Sequence, residues 1–218
     1  MDVQFKKYFM KLISKEIKSK YGKKILFDEA LANYSWFNLG GPSEVFFKPN
    51  SLEDIIFFFK NVKAKNITIL GAGSNTLIRD GGIKGITVKL SSAFSYIKLD
   101  STNIVEVGAA TADKKVADFA MENSLSGMEF LACIPGSIGG AVKMNTGCYG
   151  DDISQILHSI NVIDTQGNLK EILAQDVQFS YRSTNLKENL LITSVKLKGT
   201  YCLKNNIEEK QKAMIERK

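Results

Sequence analysis

The sequence predicts helices and strands mixed in one domain of two lobes, or in two small domains. Three observations predict this. Apolar runs of strand character alternate with amphipathic helical patterns in both halves of the chain. Each half also carries a glycine-rich segment: Gly71-Ala72-Gly73-Ser74-Asn75, directly behind the run Ile67-Thr68-Ile69-Leu70, and GMEFLACIPGSIGGAVKMNTG at 127–147. A chain of 218 residues, 44% hydrophobic and 24% charged, is long enough to bury a real core.

Residues 5–20 read as a helix, because Phe5, Tyr8, Phe9, Leu12, Ile13 and Ile17 recur at three- and four-residue intervals with lysines opposite. Residues 33–48 predict extended segments around the turn Gly40-Gly41-Pro42. Ser51 and Asp54 form a capping box, and Leu52, Ile55, Ile56 and Phe59 give the helix behind it an apolar face. A strand over 67–70, the glycine turn, Asp80-Gly81-Gly82 and a strand over 86–90 complete a β-α-β-β first lobe. The second lobe opens with the strand Ile104–Val107. Gly108 and a helix over 113–123 follow, with Val116, Phe119 and Ala120 inward. Past the glycine-rich segment, strands over 156–164 and 168–173 join through Thr165-Gln166-Gly167. A strand over 190–198 and a polar helix over 204–218, with little to bury, end the chain. The expected divisions are an N-terminal helix at 1–24, a first lobe at 25–92, a second at 93–203 and a connecting helix at 204–218.

Charge and composition exclude several classes. The excess of 29 basic over 23 acidic residues gives +6, but only three residues are arginine and many lysines precede residue 25. Solvated lysine faces account for this better than nucleic-acid binding. No apolar run is long enough to cross a membrane, and the N-terminus lacks a basic-then-apolar leader. Three cysteines without CxxC spacing read as reduced thiols. The sole histidine, His158, sits in an alternating strand and reads as partly buried and structural. No metal site is expected: HExxH is absent. GxSxG and GxxxxGK[ST] are also absent, and Thr76 stands where a dinucleotide fingerprint needs its third glycine.

The glycine segments carry the chemistry. Glycine loses the most backbone entropy on folding, so its repetition needs a reason. A turn passing close to an anion, with N–H groups directed at it, is one such reason. For 71–75 a tight surface turn competes with a phosphate nest, and for 136–140 close packing competes. Two such turns in separate halves favour one large anionic cofactor. Arg182, in Phe179-Ser180-Tyr181-Arg182-Ser183, is a candidate for bidentate carboxylate recognition, or equally a surface salt bridge.

Four segments, in their order and spacing, resemble the short form of the UDP-N-acetylenolpyruvoylglucosamine reductase family. These are 33–41, GAGSNTLIRDGGIKG at 71–85, GMEFLACIPGSIGGAVKMNTGCYG at 127–150 and YRST at 181–184. The resemblance covers nearly the whole chain. It implies an α+β fold of the vanillyl-alcohol oxidase (PCMH) type, two lobes with the flavin of FAD between them. It further implies a monomeric cytoplasmic flavoprotein of peptidoglycan synthesis. NADPH would reduce the enolpyruvyl ether of UDP-N-acetylglucosamine, through FAD, to UDP-N-acetylmuramate.

The resemblance also implies roles for particular residues. Gly71, Ala72, Gly73, Ser74 and Asn75 would hold the FAD diphosphate, with Leu77, Gly108, Ala109 and Ala110 close by. Ile134, Pro135, Gly136, Ser137, Gly139, Gly140, Ala141 and Asn145 would follow the flavin and ribityl chain. Arg182, beside Tyr181, would hold the substrate carboxylate and stabilise the enolate. The family's serine proton donor and its glutamate match no residue of this sequence. The expectation is therefore a chain that ends before a substrate domain, and that binds FAD more readily than it turns over substrate.

Overall fold

The computed structural model describes residues 15–22, 24–62 and 66–217. Most of the helix expected over 5–20 lies outside the described residues; α1 spans Lys15–Tyr21. The chain divides into two compact units. One comprises Met1–Ser91, Ile163–Leu169 and Glu188–Leu191; the other comprises Ser92–Val162, Lys170–Lys187 and Ile192–Lys218.

The first unit contains β1 (Ile25–Ala30), β2 (Pro42–Phe47), α2 (Leu52–Asn61), β3 (Ile67–Ile69) and β4 (Ile83–Val88). Its sheet runs β1-β2-β4-β3, with β1 antiparallel to β2 and β4 parallel to both its neighbours. β4 starts earlier than the expected 86–90 because Ile83 already pairs with Ser43. Ser51 caps α2, its Oγ accepting from Asp54 N at 3.2 Å. The buried apolar face of α2 is Ile55, Phe58 and Phe59, while of the expected stripe Leu52, in the first turn, is exposed and Ile56 half-buried. Phe58 stacks on Phe47 at 3.9 Å between ring centroids. Burying each such ring fully stabilises the fold by about 2–3 kcal/mol.

The second unit is built on β5 (Ile97–Leu99), β6 (Ile104–Gly108), β10 (Leu157–Ile163), β11 (Leu169–Leu173) and β14 (Leu191–Lys198), in the order β11-β10-β14-β6-β5. The β10–β11 turn, whose residues are counted with the first unit, is fixed by Asp164, whose carboxylate accepts from Gln166 N and Asn168 N, both at 2.9 Å. Gly167 there takes a left-handed φ of 79°. α3 (Asp113–Glu122) buries Val116, Ala117 and Ala120, with Phe119 only half-buried. It packs on a 3-10 turn at Glu129–Cys133. Short elements complete the unit: β7 (Leu125–Ser126), α4 (Ile138–Lys143), β8 (Gly147–Cys148), β9 (Asp151–Asp152), β12 (Phe179–Ser180), β13 (Ser183–Thr184) and β15 (Thr200–Tyr201).

Two expectations need correction. α5 (Lys204–Glu216) was expected to bury little, yet Ile207, Gln211 and Met214 form a buried stripe against the 3-10 turn and α3. Gln211 Nε2 donates to Asp118 Oδ1 at 3.0 Å, so a polar residue occupies the middle of that stripe and hides it in a hydropathy pattern. His158 is exposed rather than partly buried, since its position on β10 points away from the core side held by Leu157 and Ser159.

Candidate functional site: two glycine-rich segments and an arginine hairpin

In the first unit, the 71–75 turn is locked to the loop before β2. Leu70 and Ile78, on either side of the turn, pack with Leu31 and Phe46. Trp36 N donates to Gly73 O at 3.1 Å, and Gly41 N to Arg79 O at 3.0 Å. Gly73 is left-handed, with a φ of 76°, and a Cβ there would lie 2.0 Å from Tyr34 O. At Gly41 it would lie 1.9 Å from Asp80 O. Close packing between two loops is thus a sufficient reason for both glycines.

The turn nevertheless keeps its donors. Among the described residues the backbone N–H groups of Ala72, Gly73, Ser74 and Asn75 have no acceptor. Lys89 Nζ donates to Gly71 O, placing an ammonium beside them. Burial, and then Lys48 nearby, hold its pKa below the usual lysine value. Trp36 (61% exposed), bonded through its amide to Gly73, and Leu77 (72% exposed), two residues past the turn, leave apolar surface bare.

In the second unit, the structure brings 108–113 and 134–141 together. Gly139 N donates to Ala109 O at 3.0 Å, Ile138 N to Thr111 O at 2.9 Å, and Asp113 N to Gly136 O at 3.2 Å. Ala109 and Ala110 in turn donate to Thr193 O and Phe94 O. The N–H groups of Gly136 and Gly139 are therefore used within the protein, Gly136 donating to Ile134 O at 3.0 Å, and are not free for an anion as expected. Gly108, Gly136 and Gly139 have packing reasons: a Cβ would meet Phe94 O at 2.2 Å, Asp113 Oδ2 at 2.5 Å and Ala109 Cβ at 2.9 Å. Gly140 has none, its nearest neighbour being Ser137 Oγ at 3.7 Å.

Asp113 is fully buried, and neither carboxyl oxygen has a hydrogen-bond partner among the described residues. Burial pushes its pKa up to about 8, so at neutral pH it is mostly a protonated acid and a potential donor.

Tyr181 and Arg182 are the two turn residues of the β12–β13 hairpin, in which Ser180 pairs with Ser183. Arg182 takes a left-handed φ of 55°, an uncommon state for a residue with a Cβ. The hairpin is tied down by three bonds. Asn145 Nδ2 donates to Ser180 O at 3.1 Å, Thr184 Oγ1 to Lys143 O at 3.0 Å, and Lys143 Nζ to Leu186 O. Asn145 is itself buried and left-handed, its Oδ1 accepting from Ser154 N at 3.1 Å. Among the described residues no carboxylate pairs with Arg182; its guanidinium lies 5.5 Å from the exposed Tyr181 ring centroid. The surface salt bridge is therefore not what holds it.

Residues 43–173 match a family described as FAD binding domain. The chain is 44% identical over 205 residues to the UDP-N-acetylenolpyruvoylglucosamine reductase of Pelagibacter ubique (strain HTCC1062), covering 94% of this chain and 67% of that protein. The chain belongs to the UDP-N-acetylenolpyruvoylglucosamine reductase family. A crystal structure of the Thermus caldophilus reductase superposes with a TM-score of 0.77 at 26% identity, over 88% of this chain and 68% of that one. A Physcomitrella patens BBE-like 1 structure, at 15% identity and a TM-score of 0.57 over 86% of this chain and 44% of that one, shares the fold. The fold is thus the α+β FAD-binding fold of flavoprotein oxidoreductases. The chain spans about two thirds of the length of the curated relatives it matches. No helix among the described residues is long and apolar enough to cross a membrane.

Several residues of this family member at the candidate site escaped the sequence reading. Lys89 lies far along the chain from Gly71 and meets it only because β3 and β4 are neighbours. Asp113 looks like an ordinary first-turn acid. Lys143 and Thr184 work through backbone carbonyls, which carry no sequence pattern.

Proposed function

We propose that the chain binds FAD as the flavin-holding part of a UDP-N-acetylenolpyruvoylglucosamine reductase. One observation carries this reading: the acceptor-less amides of Ala72, Gly73, Ser74 and Asn75. A diphosphate supplies the missing acceptors, and the Lys89 ammonium adds charge of the right sign. The bare apolar side chains of Trp36 and Leu77 suit an aromatic ring system. In the second unit, the family resemblance assigns Gly108–Ala110 near the diphosphate, and Ile134–Ser137, Gly139–Ala141 and Asn145 to the flavin and ribityl portion. Gly140 leaves room there for close approach, and the unpartnered Asp113 carboxyl can hydrogen-bond a polar group. The donor set fits the group.

Bound FAD supplies two-electron chemistry between NADPH and the enolpyruvyl double bond. The residues of this chain bind and orient. Arg182, free of carboxylate partners and fixed on a two-residue turn, holds the substrate carboxylate, with Tyr181 beside it. Its guanidinium offsets negative charge that grows during reduction. No residue here is assigned the proton delivered to the substrate. Because the chain spans about two thirds of its relatives' length, a second reading stands beside the first: flavin binding without turnover.

Incubation with excess FAD followed by desalting tests the binding. A yellow protein supports it and a colourless one ends it. Anaerobic reduction with NADPH, then addition of the enolpyruvyl ether, separates the two readings. Recovery of the oxidised flavin spectrum means turnover, and persistence of the reduced spectrum means binding alone.

A further inference from the structure

Two thiols bracket the second glycine-rich segment. Cys133 closes the 3-10 turn Glu129–Cys133, and Cys148 ends β8, which packs against that turn. Cys148 Sγ donates to Phe130 O at 3.4 Å, within the same turn that Cys133 closes, and the Cys133 thiol is near enough to act on it electrostatically. Cys133 is buried and Cys148 partly exposed, and both are free thiols. The pair therefore has one sulfur that solvent can reach and one behind it. That is the arrangement of an attacking and a resolving thiol. The charged groups acting on Cys148 are Arg182 and Asp151.

We propose that Cys133 and Cys148 are a redox-sensitive pair that closes into a reversible disulfide across the segment carrying Ile134–Asn145. The oxidant is a small organic disulfide. The Cys148 thiolate attacks one of its sulfurs, breaking that S–S bond and releasing one small thiol, which takes up the proton Cys148 lost. The Cys133 thiolate then attacks Cys148 Sγ in the mixed disulfide and expels the second small thiol, which takes the proton from Cys133. Two protein thiols are oxidised to one disulfide, and one small disulfide is reduced to two thiols. The bond would tie both ends of the segment whose Asn145 holds the Arg182 hairpin, so the oxidation state of the pair acts on the candidate site. Burial, then the Cys133 thiol beside it, push the Cys148 pKa up to about 11, with Arg182 acting in the opposite direction. Closure is accordingly slow at neutral pH, and a reducing pool reverses it.

The test uses the full chain with Cys202→Ser, which removes the third thiol and chain-to-chain linkage through it. The protein is incubated with oxidised glutathione, its remaining thiols are alkylated, and peptides are mapped by mass under non-reducing conditions. The expected result is one cross-linked species joining the Cys133 and Cys148 peptides, separated by dithiothreitol, with a raised unfolding midpoint. Adding Cys148→Ser abolishes the link. Alkylation of both cysteines after oxidation, or glutathione retained on Cys148 without closure, overturns the proposal. Because the map is read on folded protein with both cysteines present, a poorly folding variant cannot decide it.

Discussion

The Asn145 side-chain amide donates to the Ser180 carbonyl at 3.1 Å, joining the glycine-rich segment to the hairpin that presents Arg182. Asn145 does this from a left-handed backbone, φ 40°, while its Oδ1 accepts from Ser154 N. One buried side chain thus satisfies two loops at once. Asn145→Ala removes these two bonds and a third, longer one from Nδ2 to Asp152 Oδ2 at 3.4 Å, and is expected to cost about 2–3 kcal/mol. Asn145→Gly, which relieves the backbone but not the bonds, should recover a fraction of that. Urea unfolding of the two variants reads the difference, and proteolysis within 179–184 should rise in both.

The glycines separate into those that packing requires and those it does not. Gly73→Ala forces a Cβ to 2.0 Å from Tyr34 O at a left-handed φ and should destabilise by more than about 2 kcal/mol. Gly81→Ala meets nothing within 4 Å and should stay within about 0.5 kcal/mol of the parent. Gly140→Ala should fold like the parent, yet bind FAD about tenfold more weakly, a loss of about 1.4 kcal/mol. Thermal melts with a flavin titration distinguish a folding glycine from a binding one.

Asp113 makes stability depend on pH. In the unfolded chain its carboxyl ionises in the ordinary range near pH 4, whereas the folded chain keeps the proton until about pH 8. Between those values the folded state binds more protons, so stability falls as pH rises through the window and levels off above it. Asp113→Asn removes the titration. The difference in urea midpoint between parent and variant should therefore grow from pH 5 to pH 8; a constant difference would refute the assignment.

The last helix is held by charge as well as by its apolar stripe. Lys210 lies 3.5 Å from Glu129 and 3.2 Å from Asp151. Glu129 is 1% exposed and also accepts from Ser126 Oγ at 2.6 Å and Gly127 N at 2.8 Å. Burial lowers the Lys210 pKa, but the two carboxylates outweigh it and the net shift is upward. Lys210→Met should cost about 1–2 kcal/mol, discounted because the lysine is half-exposed. Hydrogen exchange should then accelerate over 204–216 before it does in α3.

The elements whose sequence periodicity matches their burial were legible. Ser51 with Asp54 announced α2, and Thr165-Gln166-Gly167 announced the β10–β11 turn. The glycine turn at 71–75 and the Tyr181-Arg182 pair were legible as candidates, because glycine repetition and a lone interior arginine are visible in one dimension. What stayed hidden depends on chain segments far apart in sequence. The use of the Gly139 amide on Ala109 cannot be read from spacing, and neither can Lys89 at Gly71. The Ile207–Gln211–Met214 stripe was missed because its central member is polar and finds its partner on another helix.

Trp36 is the chain's single tryptophan. Its amide is fixed to Gly73 O while its side chain stays largely uncovered. The indole is thus a built-in optical reporter beside the 71–75 turn. Its emission overlaps the absorption band of an oxidised isoalloxazine, so arrival of that chromophore nearby should quench it by energy transfer. Ligand docking can be followed at this turn without attaching any dye.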